Sequence, residues 1–200
     1  TPTIVRIIDD INNITKDSIK IIGFIDNDIS KHGKKFMSYK IIGGSDSIKQ
    51  FDKKDIFLIN TISRSTSTRK ETTIYFENLG YRFTNIIHPS VNLEYVTLGC
   101  GVYIQENAII QPKAHISNHV IVSSGSTVAH NSHIGEYVFI GPSVYICGRV
   151  NIKKMCYLSV GAKIVPEVTI GENSLIAAGS VVVKDVPKNV KLKGIPAREY

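Results

Sequence analysis

Residues 98–186 read LGCGVYIQENAIIQPKAHISNHVIVSSGSTVAHNSHIGEYVFIGPSVYICGRVNIKKMCYLSVGAKIVPEVTIGENSLIAAGSVVVKDV. Written in sixes, every line carries an aliphatic at one position: Leu98, Ile104, Ile110, Ile116, Val122, Val128, Ile134, Ile140, Ile146, Ile152, Leu158, Ile164, Ile170, Ile176 and Val182. Four residues after each comes a small or slender one, from Val102 and Ala108 through Ser126 and Ser132 to Ser180 and Val186. A six-residue period over this length is the mark of a hexapeptide β-helix. Each hexad is a short strand and a bend, so three close a triangular turn and 18 residues make a coil. Fifteen hexads then give five coils with a packed aliphatic interior, each buried aliphatic stabilising by at most roughly 1.5–3 kcal/mol.

Outward from this block the grammar changes. Ile4, Ile7, Ile8, Ile11 and Ile14 follow Thr1-Pro2 at helical spacing, and proline is accepted at a first helical position. KIIGFIDND (20–28) and DIFLIN (55–60) read as buried strands. SRSTSTRKETTIYFENLG (63–80) reads as a helix stopped by Gly80, and YRFTNII (81–87) as a third strand. Strand–helix alternation predicts a small parallel α/β sheet over residues 1–85. The β-helix should then occupy 86–186. The tail VPKNVKLKGIPAREY (186–200), where the hexads stop, should cover the open end of the solenoid, with 187–200 as the cap.

Of the 200 residues, 42% are apolar and 20% charged, the composition of a folded globular chain. The sequence shows neither a membrane-spanning run nor a secretory leader. Cys100, Cys147 and Cys156 lack metal-ligand spacing and read as free thiols of a reducing, cytoplasmic setting. The net charge of +7 is unevenly spread: residues 1–85 carry fourteen Lys/Arg against ten Asp/Glu, 86–148 one against three, and 149–200 nine against four. No basic stripe with interleaved aromatics marks a nucleic-acid binder; two separate basic regions suit small anionic ligands better. His88, His115, His119, His130 and His133 fall in the middle segment.

The segment SGSTVAHNSHIGEYVFIGPSVYICGRVNI (124–152), the linking IIHPS (86–90) and GIPAR (194–198) resemble the left-handed β-helix acyltransferases. Within these they resemble the two-domain sugar acetyltransferases: the nucleotide-4-aminosugar N-acetyltransferases and the sialic-acid-type O-acetyltransferases. The resemblance implies a Rossmann-like N-terminal domain, a left-handed coil, a homotrimer with active sites between neighbouring prisms, and acetyl-CoA as co-substrate. It implies a nucleotide-sugar acceptor and a place in bacterial surface-glycan assembly. It makes His130 the general base, since imidazole titrates near neutral pH. Gly148, 18 residues on, becomes the backbone N–H donor to the thioester oxygen. Phe139, Val160 and Ala178 match the acetyl-CoA cleft, with Phe139 where some relatives have histidine. Lys191, Lys193 and Arg198 suit the coenzyme's phosphates. Asp26 and Asn27 match a strand-end acidic pair at the nucleotide, and Arg69 an arginine of the helix after the second strand.

Three departures stand out. Many relatives carry Asp or Glu where this chain has Asn131, which orients a ring without adding charge. The family's first strand and its Gly-rich turn have no counterpart, and SRSTST (63–68) replaces the glycine-containing turn before Arg69. His115 and His133 fall at outward positions one coil apart and read as exposed neighbours, and His88 reads as structural. The reading is an N-acetyltransferase. Its rivals are a sugar O-acetyltransferase on the same scaffold and a non-catalytic β-helix scaffold. A hexapeptide-fold carbonic anhydrase is disfavoured because the histidine spacings do not supply its three zinc ligands.

Overall fold

From Ile104 to Val182 every hexad aliphatic is at most 6% exposed, because each points into the prism and stacks on its equivalent one coil away. The computed structural model describes residues 2–15 and 18–200; the expected helix start at Thr1 lies outside these. Strands of two residues stack in register at 18-residue intervals, as in His115↔His133 and Ile121↔Phe139. They form three parallel sheets, the faces of the prism, in an arrangement that fits a left-handed parallel β-helix. The first face runs from Thr97–Leu98 to Thr169–Ile170, the second from Ile86–Ile87 to Leu175–Ile176, and the third from Ile109–Ile110 to Val181–Val182.

The corners have their own rule. Every sixth residue from Tyr95 to Gly179 adopts positive φ, among them Asn107, His119, Asn131 and Arg149. A left-handed residue turns the chain sharply at each corner; asparagine and glycine tolerate it best. From Val102 onward the small residue that follows is buried, and where it is serine its hydroxyl is satisfied one coil up: Ser126 Oγ donates to the Gly141 carbonyl at 2.7 Å and Ser132 Oγ to that of Cys147 at 2.9 Å.

The tail does not simply lie across the open end. Lys191–Lys193 continues the second face in parallel with Leu175–Ile176, its register shortened so that Leu175 pairs with Lys191. Arg198–Glu199 then returns antiparallel and ends the stack, with Leu192 and Ala197 buried beneath.

In the N-terminal half, helix α1 (Pro2–Thr15) buries Ile4, Val5, Ile7, Ile8 and Ile11 on one stripe. That stripe shares an apolar cluster with Tyr103, Ile121 and Phe139, the outward residues of the second face. Helix α2 spans Thr66–Asn78, shorter at both ends than the expected 63–80. Ser65 caps it by accepting from Thr68 N–H at 3.1 Å, so SRSTST serves as a capping turn. Gly80, at φ +84°, takes the left-handed position that closes the C-terminus.

The single parallel sheet expected here does not form. Phe24–Ile25 pairs in parallel with Tyr39–Gly43, which forms an unforeseen hairpin with Lys35–Phe36. Phe57–Leu58 pairs separately with Arg82–Phe83. No strand among the described residues bridges the two sheets. The expected strand 81–87 also divides: Arg82–Phe83 stays in the N-terminal half, whereas Ile86–Ile87 pairs with Tyr103–Ile104 and opens the second face of the prism.

Candidate active site

His130 sits at the corner between the third and first faces, one residue before the left-handed Asn131. The residue directly above it is Gly148, whose own position follows from the 18-residue coil. A Cβ built on Gly148 would lie 2.7 Å from His130 Cε1 and 2.8 Å from Nε2. A side chain there would displace the ring; the imidazole of one coil rests on the bare backbone of the next. The Gly148 N–H has no acceptor among the described residues, whereas neighbouring corner groups are tied: His130 N–H donates to Gln111 Oε1 at 3.0 Å, and Arg149 N–H to the His130 carbonyl at 3.0 Å. An exposed imidazole therefore stands beside an unengaged backbone donor.

The third member, Asn131, reaches the ring: its Nδ2 is 2.9 Å from His130 Nδ1. An amide nitrogen only donates, so in this orientation Nδ1 accepts and the ring proton is on Nε2. A half-turn of the amide presents Oδ1, which accepts from Nδ1–H and leaves Nε2 free to take a proton. The uncharged partner supports both tautomers, where a carboxylate would support one.

The residues matched to an acetyl-CoA cleft do not gather around this corner within one chain. Val160 is 52% exposed and Ala178, one coil above it, is also exposed; both belong to the corner between the second and third faces. Phe139 is a correction. It is 7% exposed, stacked on Tyr157 with ring centroids 4.7 Å apart, and packed in the cluster that receives α1. Its ring is spent joining the two halves and does not line an open cleft. Lys191, Lys193 and Arg198 are exposed on the capping strands, and Lys193 Nζ lies 4.5 Å from the centre of the Tyr200 ring.

Arg69 is the second correction. Expected at a nucleotide, it is fully buried. Its guanidinium donates to the Ile62 carbonyl at 2.9 Å and to the Tyr137 carbonyl on the β-helix. Burial pulls its pKa down to about 10, which still leaves it charged at neutral pH. Asn60 supports the same helix from below, donating to the Arg69 carbonyl and to Thr73 Oγ1 at 3.1 Å each. Arg69 thus clamps α2 to the prism and offers no face to a ligand.

Beside it lies a residue that sequence reasoning passed over. His119 is buried, stacked on Tyr137 at 5.1 Å and edge-on to Phe83 at 5.2 Å, with Nε2 3.2 Å from Glu77 of α2. Burial lowers its pKa, against the opposing pull of Glu77. Gly101, at φ +67°, leaves the space the ring occupies. The only sequence signal was its place in the column of bend residues.

Asp26 and Asn27 lie where Phe24–Ile25 ends. Lys31 bonds Asp26 Oδ2 at 2.8 Å and holds its carboxyl below the ordinary range, aided by the Asp28 N–H. Asn27 Oδ1 accepts from Ser45 N–H at 2.8 Å at the edge of an open cavity of about 660 Å³. His32, Ser47, Glu71, Thr72 and Tyr75 also line it, and Asp26 does not. His115 and His133 stack at 5.8 Å on the first face, the former half-buried and the latter exposed. His88 bridges Ser90 and Asp10 of α1. All three cysteines are free, and burial pushes the Cys156 thiol up to about 11. Among the described residues no helix is long and apolar enough to cross a membrane.

A coil of hexads carrying an open imidazole over a bare backbone donor defines a β-helix protein of the acyltransferase class. No family model matches the sequence. Protein YJL218W of Saccharomyces cerevisiae, which carries the name of an acetyltransferase, is 31% identical over 145 residues, 70% of this chain and 74% of its own length. The galactoside O-acetyltransferase of Escherichia coli is 31% identical over 134 residues, 64% of this chain and 57% of its own length. The serine acetyltransferase of Bacillus subtilis is 33% identical over 120 residues, 58% of this chain and 48% of its own length. The chain thus spans about half the length of these last two relatives. The chain belongs to the hexapeptide-repeat acetyltransferase family.

Two solved structures share its fold along nearly the whole chain. PerB from Caulobacter crescentus, in complex with CoA and GDP-perosamine, has a TM-score of 0.86 at 24% identity, covering 98% of this chain and 92% of its own. The acetyltransferase domain of PglB from Neisseria gonorrhoeae, in complex with acetyl coenzyme A, has a TM-score of 0.89 at 21% identity, covering 100% and 93%.

Proposed function

We propose that this protein transfers an acetyl group from acetyl-CoA to the amino group of a nucleotide-linked amino-deoxysugar. The observation that carries the reading is His130 resting on Gly148, which puts a proton acceptor and a free backbone donor at one open corner. The acceptor amine attacks the thioester carbonyl, a C–N bond forms, and the C–S bond breaks to release the coenzyme's thiol. With the Asn131 amide turned so that Oδ1 accepts from Nδ1–H, His130 Nε2 takes the proton the amine must lose and returns it to the departing sulfur. The Gly148 N–H stabilises the oxyanion that develops between these steps. The N-terminal half, read as a Rossmann-like unit, carries the nucleotide, with Asn27 at the cavity and Asp26 behind it. Arg69 takes no part. The chemistry belongs to the cytoplasm, at the assembly of surface glycans.

The acetyl-CoA cleft, in this reading, lies between copies of the chain. His130 and Gly148 occupy one corner and Val160 and Ala178 another, and the face between them exposes Ile109 by 56% and Tyr145 by 46%. A homotrimer joins the two corners across subunits. Light scattering at micromolar concentration should give three times the 22.1 kDa chain mass; a stable monomer overturns this arrangement.

A hydroxyl acceptor is the second reading, favoured by the uncharged Asn131 and the sugar O-acetyltransferase relatives. Asn131→Asp decides between the two. Aspartate tolerates the left-handed corner, accepts from Nδ1–H in every orientation, and favours the protonated ring. The acid limb of the pH–rate profile therefore moves to higher pH, because the base must be unprotonated to act. With an amine acceptor the plateau kcat changes by less than about tenfold, whereas a hydroxyl acceptor gains more. The measurement is kcat/KM against pH for both proteins; an unmoved acid limb removes Asn131 from the site.

A further inference from the structure

We propose that Gln111 is a positioning residue for His130. The inference rests on the reading of His130 as the base. Gln111 belongs to the coil below, and its Oε1 accepts the His130 N–H at 3.0 Å. The exposed corner is held at three points: Gln111 fixes the backbone N–H from below, Arg149 N–H holds the carbonyl from above at 3.0 Å, and Asn131 meets the ring at Nδ1. Gly148 supplies the surface the ring lies on but no contact that would hold it there. Within one chain the side chain is otherwise exposed. Without the Gln111 acceptor the N–H turns to water, and the bend before the left-handed Asn131 is free to swing the ring off Gly148. A displacement near 1 Å is enough to cost up to about a hundredfold in rate.

Side-chain amides cap corner N–H groups elsewhere in the prism. Asn118 Oδ1 accepts from Cys100 N–H at 2.9 Å, at a corner whose histidine, His119, is buried against Glu77. That makes Asn118 the control for a purely structural cap. In a thiol-release assay with acetyl-CoA and a panel of aminosugar nucleotides, Gln111→Leu should lower kcat about tenfold with the KM for acetyl-CoA unchanged within about twofold. Gln111→Glu keeps the acceptor oxygen and should restore kcat to within about threefold, while its charge moves the acid limb of the profile to higher pH. Asn118→Leu should lower the thermal transition as Gln111→Leu does and leave kcat at the parent value.

A second readout needs no acceptor. The ring Cε1–H resonance of His130, identified by its loss in His130→Ala, should shift and broaden in Gln111→Leu and return in Gln111→Glu. Parent-level kcat in Gln111→Leu, an unmoved ring signal, or an equal kcat loss in Asn118→Leu overturns the proposal. His130→Ala, run alongside, keeps the two readings apart. If it retains turnover, the base assignment itself fails. If it abolishes turnover while Gln111→Leu behaves as parent, only the positioning role is lost.

Discussion

Replacing His130 with alanine should lower kcat/KM by roughly 10²–10⁴, the usual worth of a general base, while the thermal transition and the assembly stay as in the parent. The asymmetry follows from where the side chain sits. Within one chain His130 is exposed, and its ring meets Asn131 and the backbone of Gly148. Truncating it opens no cavity and orphans no buried group. Its backbone ties to Gln111 and Arg149 do not use the side chain and remain. Steady-state kinetics paired with a melting curve check both halves of the expectation. Unchanged turnover removes His130 from the mechanism, and a collapsed transition shows that the corner is structural.

Arg69→Ala should do the opposite. The change removes a fully buried side chain and leaves the Ile62 and Tyr137 carbonyls without the guanidinium that satisfies them. A large-to-small core change costs about 2–5 kcal/mol, and each orphaned buried acceptor adds about 1–3 kcal/mol. For a chain of this size the thermal transition should fall by roughly 10 °C or more. Arg69→Met keeps most of the volume and loses only the donors, so its smaller fall measures the hydrogen bonds alone. A ligand-binding arginine would give the reverse pattern, an unmoved transition and a raised KM for the acceptor. That result would return Arg69 to the nucleotide and overturn its role as the clamp between α2 and the prism.

The β-helix was legible because a hexad repeats its instruction at every step. Inward aliphatic, left-handed bend and small residue are local requirements, and the 18-residue coil converts sequence separation into vertical neighbourhood without any other information. The stacking of His130 under Gly148 and of His115 beside His133 follows from that arithmetic. The residues matched by resemblance fared differently wherever burial decides. Phe139 sits at an outward position of the repeat, yet only the docking of α1 makes that face an interior. The clue was the column Tyr103, Ile121, Phe139, Tyr157 and Leu175, apolar throughout on one face alone. Arg69 carries a charge that reads as a ligand contact in sequence, and only the approach of Tyr137, 68 residues away, turns it into a clamp. The splitting of the N-terminal sheet and the capture of Ile86–Ile87 by the prism also depend on which edge lies nearest in space. Sequence alone therefore determined the repeating coil and the corner that holds His130, because both rest on local periodicity. The tertiary structure decided which outward residues became core and which charged group became a clamp, because burial is a property of what packs against a residue and not of the residue itself.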